Sequence, residues 1–290
     1  MKPKRFKYIY LLLCVALCIT TISRGYYLKH HTNEGNPFSR AINTIIPEAI
    51  PGINHVIDDS LSDLEETKKM ERTIERFMAQ WEIKGASLAI MKNGKLLYSK
   101  GFGIADSAED TPVNVSNIFR IASLSKLITA TGIMKLWEEK KLSLDQPVFG
   151  EKGILNDSAF LDIKDPRIRE ITVEHLLRHQ GGYSIRAGDP LFCTPSVAQS
   201  MQTPLPLSAD DMVRFAASTR LRFRPGEGNA YSNLGYVVLG KVIEKVSGMP
   251  YETFIRDSIL IPIGCFDMHI GYSEPDKHFP NEVHYYEPSD

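Results

Sequence analysis

The sequence predicts a mixed α/β (α+β) body in which a helical region and flanking helices surround an antiparallel sheet. Two observations predict it, a hairpin signature at 86–98 and capped apolar-periodic segments between Leu61 and Leu260, while a separate N-terminus in which basic residues precede an apolar run stands apart from that body. Residues 1–23 read as a signal peptide or membrane anchor, 24–60 as a linker and 61–290 as one folded domain.

Lys2, Lys4, Arg5 and Lys7 precede an uncharged, mostly apolar run from Tyr8 to Ile22, the pattern of an export segment. As a helix this run would span roughly 22 Å, short of a ~30 Å hydrocarbon core, so a cleaved signal and a short anchor both fit. The basic flank predicts that this end stays in the cytoplasm and the remainder lies outside it, in the cell envelope. Cys14 and Cys18 are poor lipidation sites, because Leu13 and Leu17 stand where a small residue is needed. Cys193 and Cys265 are free to pair in an oxidising compartment.

From Arg24 to Asp59 the chain is polar and broken by Asn36-Pro37, Pro47 and Pro51-Gly52, which reads as a linker. Leu64, Met70, Ile74, Phe77, Met78 and Trp81 recur at helical spacing and predict an amphipathic helix from Leu61 to Trp81. Ala86–Met91 and Lys95–Tyr98 flank Asn93-Gly94, a hairpin turn pair. A helix is expected from near Ser123 to about Lys140, with Leu124, Leu127, Ile128, Met134 and Trp137 on its buried face. Further helical patterns cover Val173–Arg178, Ala209–Thr219 behind a Ser208 cap, Leu234–Val246 before Gly248 and Pro250, and Tyr251–Leu260. Gly181–Pro206 is rich in Gly, Pro, Ser and Thr and reads as a long functional loop.

With 34 basic against 35 acidic residues, the chain generates no field that would draw in a polyanion, so nucleic acid is excluded as an expected partner. The expected partners are a small-molecule or peptidoglycan-like substrate and, through the N-terminal apolar segment, the membrane.

Ser123-Leu-Ser-Lys126 is the only Ser-x-x-Lys in the chain and stands where a helix begins. Positions i and i+3 share a helix face, so a lysine ammonium can lie beside the serine hydroxyl. A serine attacks only once a neighbour takes its proton, and free N–H groups at a helix start suit a developing oxyanion. Tyr231-Ser-Asn233, the only Tyr-x-Asn, follows Arg224-Pro-Gly226 and precedes an apolar helix. A tyrosine beside a cation can relay a proton, and an asparagine amide can both donate and accept. Taken singly, each motif also fits a helix cap with a solvated lysine or a core tyrosine.

Together the motifs resemble class C β-lactamases and their penicillin-binding and D-alanyl-D-alanine carboxypeptidase relatives. The resemblance runs from about Leu64 to Tyr272. It includes Gly101-Phe-Gly103, Phe119-Arg-Ile-Ala-Ser123, Leu142-Ser-Leu-Asp-Gln-Pro147, Ile171-Thr-Val-Glu-His-Leu-Leu177 and Phe223-Arg-Pro-Gly226. It implies a β-lactamase/transpeptidase-like fold without metal or cofactor, in which Ser123 is acylated, Lys126 and Tyr231 share its proton, and Asn233 holds the substrate amide. The resemblance further implies an exported serine hydrolase of β-lactams, D-alanyl peptides or small esters. A non-catalytic membrane-anchored binding or sensing module is the rival reading.

The family's third signature, Lys-Thr-Gly or His-x-Gly, lies far beyond the tyrosine motif. His269-Ile-Gly271 fits the pattern but follows Tyr231 too closely and is read as a decoy. The expectation is therefore a C-terminally shortened member whose sheet is incomplete. His175 and His179 have the i, i+4 spacing of metal ligands but no third ligand, and a structural role is expected for both. Asp145 and Glu227 are expected to be solvated or capping residues.

Overall fold

The computed structural model of the chain describes residues 67–93, 95–183, 185 and 188–286. Residues 1–23 and 24–60, read above as an export segment and a linker, and the first six residues expected of the domain lie outside the described residues. Among the described residues no helix is long and apolar enough to cross a membrane.

Helix α1 (Lys68–Gln80) leads into the predicted hairpin, β1 (Gly85–Lys92) and β2 (Lys95–Asp106), paired antiparallel with Gly85 opposite Gly103 and Ile90 opposite Tyr98. A short β3 (Thr111–Pro112), which the sequence pattern did not announce, extends the sheet in the order β1-β2-β3. Strand side chains alternate, so Ala86, Leu88, Tyr98 and Phe102 share one face, and that face packs on Met70, Ile74 and Met78 of α1. Glu71 fastens the two layers by accepting from the Tyr98 hydroxyl at 2.9 Å and from Lys100 Nζ at 3.1 Å. Phe77 and Trp81, expected on the buried side of α1, are instead exposed.

The larger core is helical. It joins α2 (Ser125–Glu138), α3 (Val173–Leu177), α5 (Ala209–Ser218), α6 (Asn233–Ser247) and α7 (Tyr251–Ile255), with α4 (Thr194–Met201) at its margin. Helix α6 is central and packs against α2, α3, α5 and α7. Its Leu234, Val238, Leu239, Val242 and Ile243 are buried, and each such side chain contributes about 1.5–3 kcal/mol of transfer free energy. Ser232 caps its start and Gly248, in the left-handed conformation, ends it as expected. Ser208 likewise caps α5 in a reciprocal box with Asp211.

Three expectations need correction. Helix α2 buries Thr129, Gly132, Ile133 and Leu136, while Leu124, Leu127 and Met134 are exposed. Apolar residues occupy both sides of this helix, so their spacing alone does not phase it. The small Gly132 decides the packing face, because a Cβ there would lie 2.7 Å from Ile255 Cδ1 of α7. Within the expected long loop, α4 forms behind Pro195, which sets the helical φ of its first turn. The helix expected from Tyr251 to Leu260 turns into a π-turn after Ile255.

The segment 281–284 runs beside the approach to α2. Ile118 N–H donates to the Asn281 carbonyl, Val283 N–H to Ile118 and His284 N–H to Ala105. Ala105, Val113 and Val283 form a small buried cluster with Phe119.

Candidate active site

Ser123 lies in a single 3-10 turn (Ala122–Leu124) directly ahead of α2. Ala122 before it has a positive φ of 45°, a left-handed conformation that costs a non-glycine residue about 1–2 kcal/mol. That turn leaves Ser123 exposed on the surface with Lys126 one helical turn further on. Lys126 Nζ donates to Ser123 Oγ at 3.2 Å.

Tyr231 arrives from the other side of the sequence. The segment carrying it is laced to residues 178–182: Arg222 N–H donates to the Gly182 carbonyl, Gly226 N–H to Gln180, Ala230 N–H to His179, and Asn229 Nδ2 to Arg178. Its hydroxyl shares a 2.6 Å hydrogen bond with Ser123 Oγ. Lys126 Nζ stands 4.9 Å from the centroid of the Tyr231 ring and 5.8 Å from that of Tyr236. Three of the four residues singled out by sequence therefore meet around one oxygen.

Asn233, the fourth, is the first residue of α6, and its Nδ2 donates to Asp189 Oδ2 at 2.8 Å. A carboxylate accepts only, so this contact fixes the amide with its NH2 toward Asp189 and frees Oδ1 to accept. Asp189 was missed by sequence reasoning. Its one signal was an acidic residue in the stretch read as a functional loop.

His179 was also underrated. The i, i+4 geometry does not exist, because α3 ends at Leu177 and His179 lies past the helix end. His175 completes the α3 capping box, its Nδ1 accepting from Thr172 N–H at 3.2 Å. The His179 ring instead packs on Tyr231 and Tyr236, with centroids 4.6 and 5.2 Å away. Burial, and then the Lys126 charge, lower its pKa to about 4, so the ring is neutral at physiological pH.

Other candidates lie apart. His269 stacks on Phe279 and faces Glu252, and none of the hydrogen bonds at Ser123 involves it. Asp145 accepts from the Ser143 hydroxyl within a turn, and Glu227 is exposed. Cys193 and Cys265 are both free thiols. A cavity of about 830 Å³ adjoins the nucleophile turn through Ala122 and Ser125, but its lining includes none of Ser123, Lys126, Tyr231 and Asn233.

Arg120 anchors the segment that leads into the Ser123 turn. Its Nε donates to Glu282 at 3.1 Å and its Nη2 to the Tyr272 carbonyl at 2.7 Å, while the guanidinium lies 4.3 Å from the Tyr285 ring centroid.

The β-lactamase family model matches residues 70–290. The chain belongs to the β-lactamase family. Penicillin-binding protein 4* of Bacillus subtilis (strain 168) is 33% identical over 201 residues, which are 68% of this chain and 40% of that protein. Esterase EstB of Burkholderia gladioli is 25% identical over 217 residues, 72% of this chain and 53% of the esterase. Among solved structures, the octameric penicillin-binding protein homologue from Pyrococcus abyssi superposes with a TM-score of 0.60 at 33% identity, covering 75% of this chain and 47% of that one. The chain thus spans about half, or less, of the length of these β-lactamase-family relatives. The β-lactamase/transpeptidase-like fold predicted from the two motifs is the fold of this family, helical with a small antiparallel sheet.

Proposed function

We propose that the protein is a serine hydrolase that cleaves amide or ester bonds through an acyl-serine intermediate outside the cytoplasm. The observation that carries this reading is the Ser123 oxygen held between the Tyr231 hydroxyl and the Lys126 ammonium. Lys126 donates to that oxygen, so the serine's own hydrogen is free to point at Tyr231. In the first step Ser123 Oγ bonds to the substrate's carbonyl carbon while its proton passes to Tyr231. The acceptor in that step is the Tyr231 oxygen as phenolate, with the Lys126 ammonium, 4.9 Å from the ring centroid, as its counter-charge. Collapse of the tetrahedral adduct expels the alcohol or amine, which takes the proton back from Tyr231. Water then attacks the acyl-serine by the reverse route and releases the acid. Asn233, its NH2 tied to Asp189, presents Oδ1 to an N–H of the substrate.

Relatives named a penicillin-binding protein and an esterase support the amide-or-ester class. The substrates in view are a β-lactam, a D-alanyl peptide of the cell wall or a small ester. The extracytoplasmic setting rests on residues 2–22, whose basic-then-apolar order is that of an export segment.

Incubation with a fluorescent penicillin and with a p-nitrophenyl ester, followed by peptide mass spectrometry, tests the reading. An adduct on Ser123 that forms and then decays with release of acid is expected. An adduct that persists without turnover would favour the membrane-anchored binding module, and no adduct with either probe would remove Ser123 as nucleophile.

A further inference from the structure

We propose that His179 is the positioning residue for Tyr231, clamping the chain on both sides of it and backing its ring so that the phenol oxygen is held against Ser123. The inference rests on the hydrolase reading for its consequence, but its geometry stands by itself.

Two bonds make the clamp. The His179 carbonyl accepts from Ala230 N–H at 2.9 Å, and its Nδ1 accepts from Ser232 N–H at 3.2 Å. Ala230 and Ser232 are the immediate neighbours of Tyr231, so one residue fixes the backbone before and after the phenol. The imidazole then packs on the Tyr231 ring from one side, while the Lys126 ammonium lies over the same ring. Backbone and ring orientation are both constrained, which leaves little freedom for the hydroxyl that meets Ser123.

The backbone of His179 supports the same conclusion. Gln180 N–H donates to the His175 carbonyl and His179 N–H to Leu176, which is the bond pattern of a Schellman cap closing α3. His179 occupies the position of that motif where glycine is the usual residue, with φ of 57°. A histidine there is strained relative to glycine, so the cap does not explain it. The contacts of its side chain with Ser232 and Tyr231 do.

The clamp needs a neutral ring, because an imidazolium carries hydrogen on Nδ1 and cannot accept from Ser232. Lys126 from α2, Tyr231 from the segment ahead of α6 and Tyr236 from α6 itself are the charged and titratable groups facing the ring among the described residues. Burial and the Lys126 charge both oppose protonation.

The backbone preference makes a clean test possible. His179→Gly gives the cap its favoured residue while deleting acceptor and ring; His179→Asn tolerates the same left-handed backbone and restores an acceptor close to the Nδ1 position. The readout is the rate at which a fluorophosphonate probe labels Ser123 at pH 7, measured in the 290-residue chain with wild-type Tyr231 and with Tyr231→Phe. With Tyr231 present, His179→Gly should slow labelling by about 10- to 100-fold without lowering the melting temperature, since a misplacement of ~1 Å costs up to ~100-fold. His179→Asn should recover at least half of that loss on a logarithmic scale. In the Tyr231→Phe background, His179→Gly should change the rate less than about twofold, because the residue it positions is already disabled. Equal losses in both backgrounds, or full-speed labelling of His179→Gly, would overturn the proposal. Failure of the wild-type chain to label would instead sink the hydrolase reading. The clamp is then decided by amide exchange at Ser232, which should accelerate in His179→Gly and be restored in His179→Asn. An unchanged exchange rate in His179→Gly overturns it.

Discussion

The hydroxyl oxygens of Ser123 and Tyr231 lie 2.6 Å apart although 108 residues separate them in sequence. Each sits just ahead of a helix, Ser123 before α2 and Tyr231 before α6, so the distance between them is set by how those two helices pack. Gly132 lies at a close approach of α2 to both α7 and α6: a Cβ there would lie 2.7 Å from Ile255 Cδ1 of α7 and 3.0 Å from Ile243 Cδ1 of α6. Gly132→Leu should therefore destabilise the fold by about 1–3 kcal/mol through overpacking, and slow Ser123 labelling by more than the unfolded fraction explains. Denaturant unfolding beside probe labelling checks it; unchanged labelling in a destabilised variant would show that the two helix starts are not coupled through this contact.

Arg120 should matter for stability as well as for placing Ser123. Removing its side chain leaves Glu282, whose side chain is 2% exposed, without its cationic partner, and frees the Tyr272 carbonyl. Arg120→Ala should cost about 2–3 kcal/mol, the usual loss for hydrogen bonds to a charged group that stays buried. Arg120→Lys should recover only part, since an ammonium cannot reach two acceptors as a fork. A shift in urea midpoint of less than a few tenths of molar for the alanine variant would contradict this account.

Stability should fall on acidification in two separate windows. His179 is held neutral down to about pH 4, against an ordinary value of 6.5. The unfolded chain therefore binds a proton here that the folded chain does not, and stability declines as pH falls from about 6.5 toward 4. Asp165 accepts from the Arg167 guanidinium, which is the main cause of its pKa of about 2, and Asp211 is lowered to about 2 chiefly by its bonds with Ser208. Both favour the folded state above about 3.8 and lose that contribution as pH falls from there through 2. Melting temperature followed from pH 8 to 2 should show His179→Asn flattening the first window and Asp165→Asn reducing the second, with the Asp211 share remaining. Parallel curves for wild type and either variant would refute the assignment for that residue.

Gly103 carries a backbone requirement that no other residue type meets. Its φ is +71°, and a Cβ would lie 2.1 Å from the Lys84 carbonyl oxygen. Gly103→Ala should destabilise by more than about 2 kcal/mol, since strain and a backbone clash act together. A melting temperature within a degree or two of wild type would contradict it.

Much of this was legible in the sequence where local chemistry dictates local structure. Asn93-Gly94 marked the hairpin, Ser208 marked a helix start, and Gly248 marked a stop. Ser123, Lys126 and Tyr231 could be paired because each motif occurs once and opens a helix. What failed to read through were choices made by tertiary packing. The buried face of α2 is chosen by Gly132 meeting α7, although Leu124, Leu127 and Met134 offer a competing apolar side. His179 looked like the partner of His175 on one helix, but a cap that closes α3 at Leu177 carries it to Tyr231 instead. The Asp189 contact with Asn233 depends on the path of a loop rich in glycine and proline, which no periodicity encodes.

The central claim is that Tyr231 and Lys126 together activate Ser123. The most direct measurement is the second-order rate of fluorophosphonate labelling at Ser123 in the wild-type chain and in Ser123→Ala, Tyr231→Phe and Lys126→Met variants. One adduct per chain on Ser123 is predicted for wild type, none for Ser123→Ala, and a loss of about 10²–10⁴ for Tyr231→Phe and for Lys126→Met, with the double variant little slower than either single one. Labelling of Tyr231→Phe at the wild-type rate, or an adduct that survives Ser123→Ala, would contradict the account.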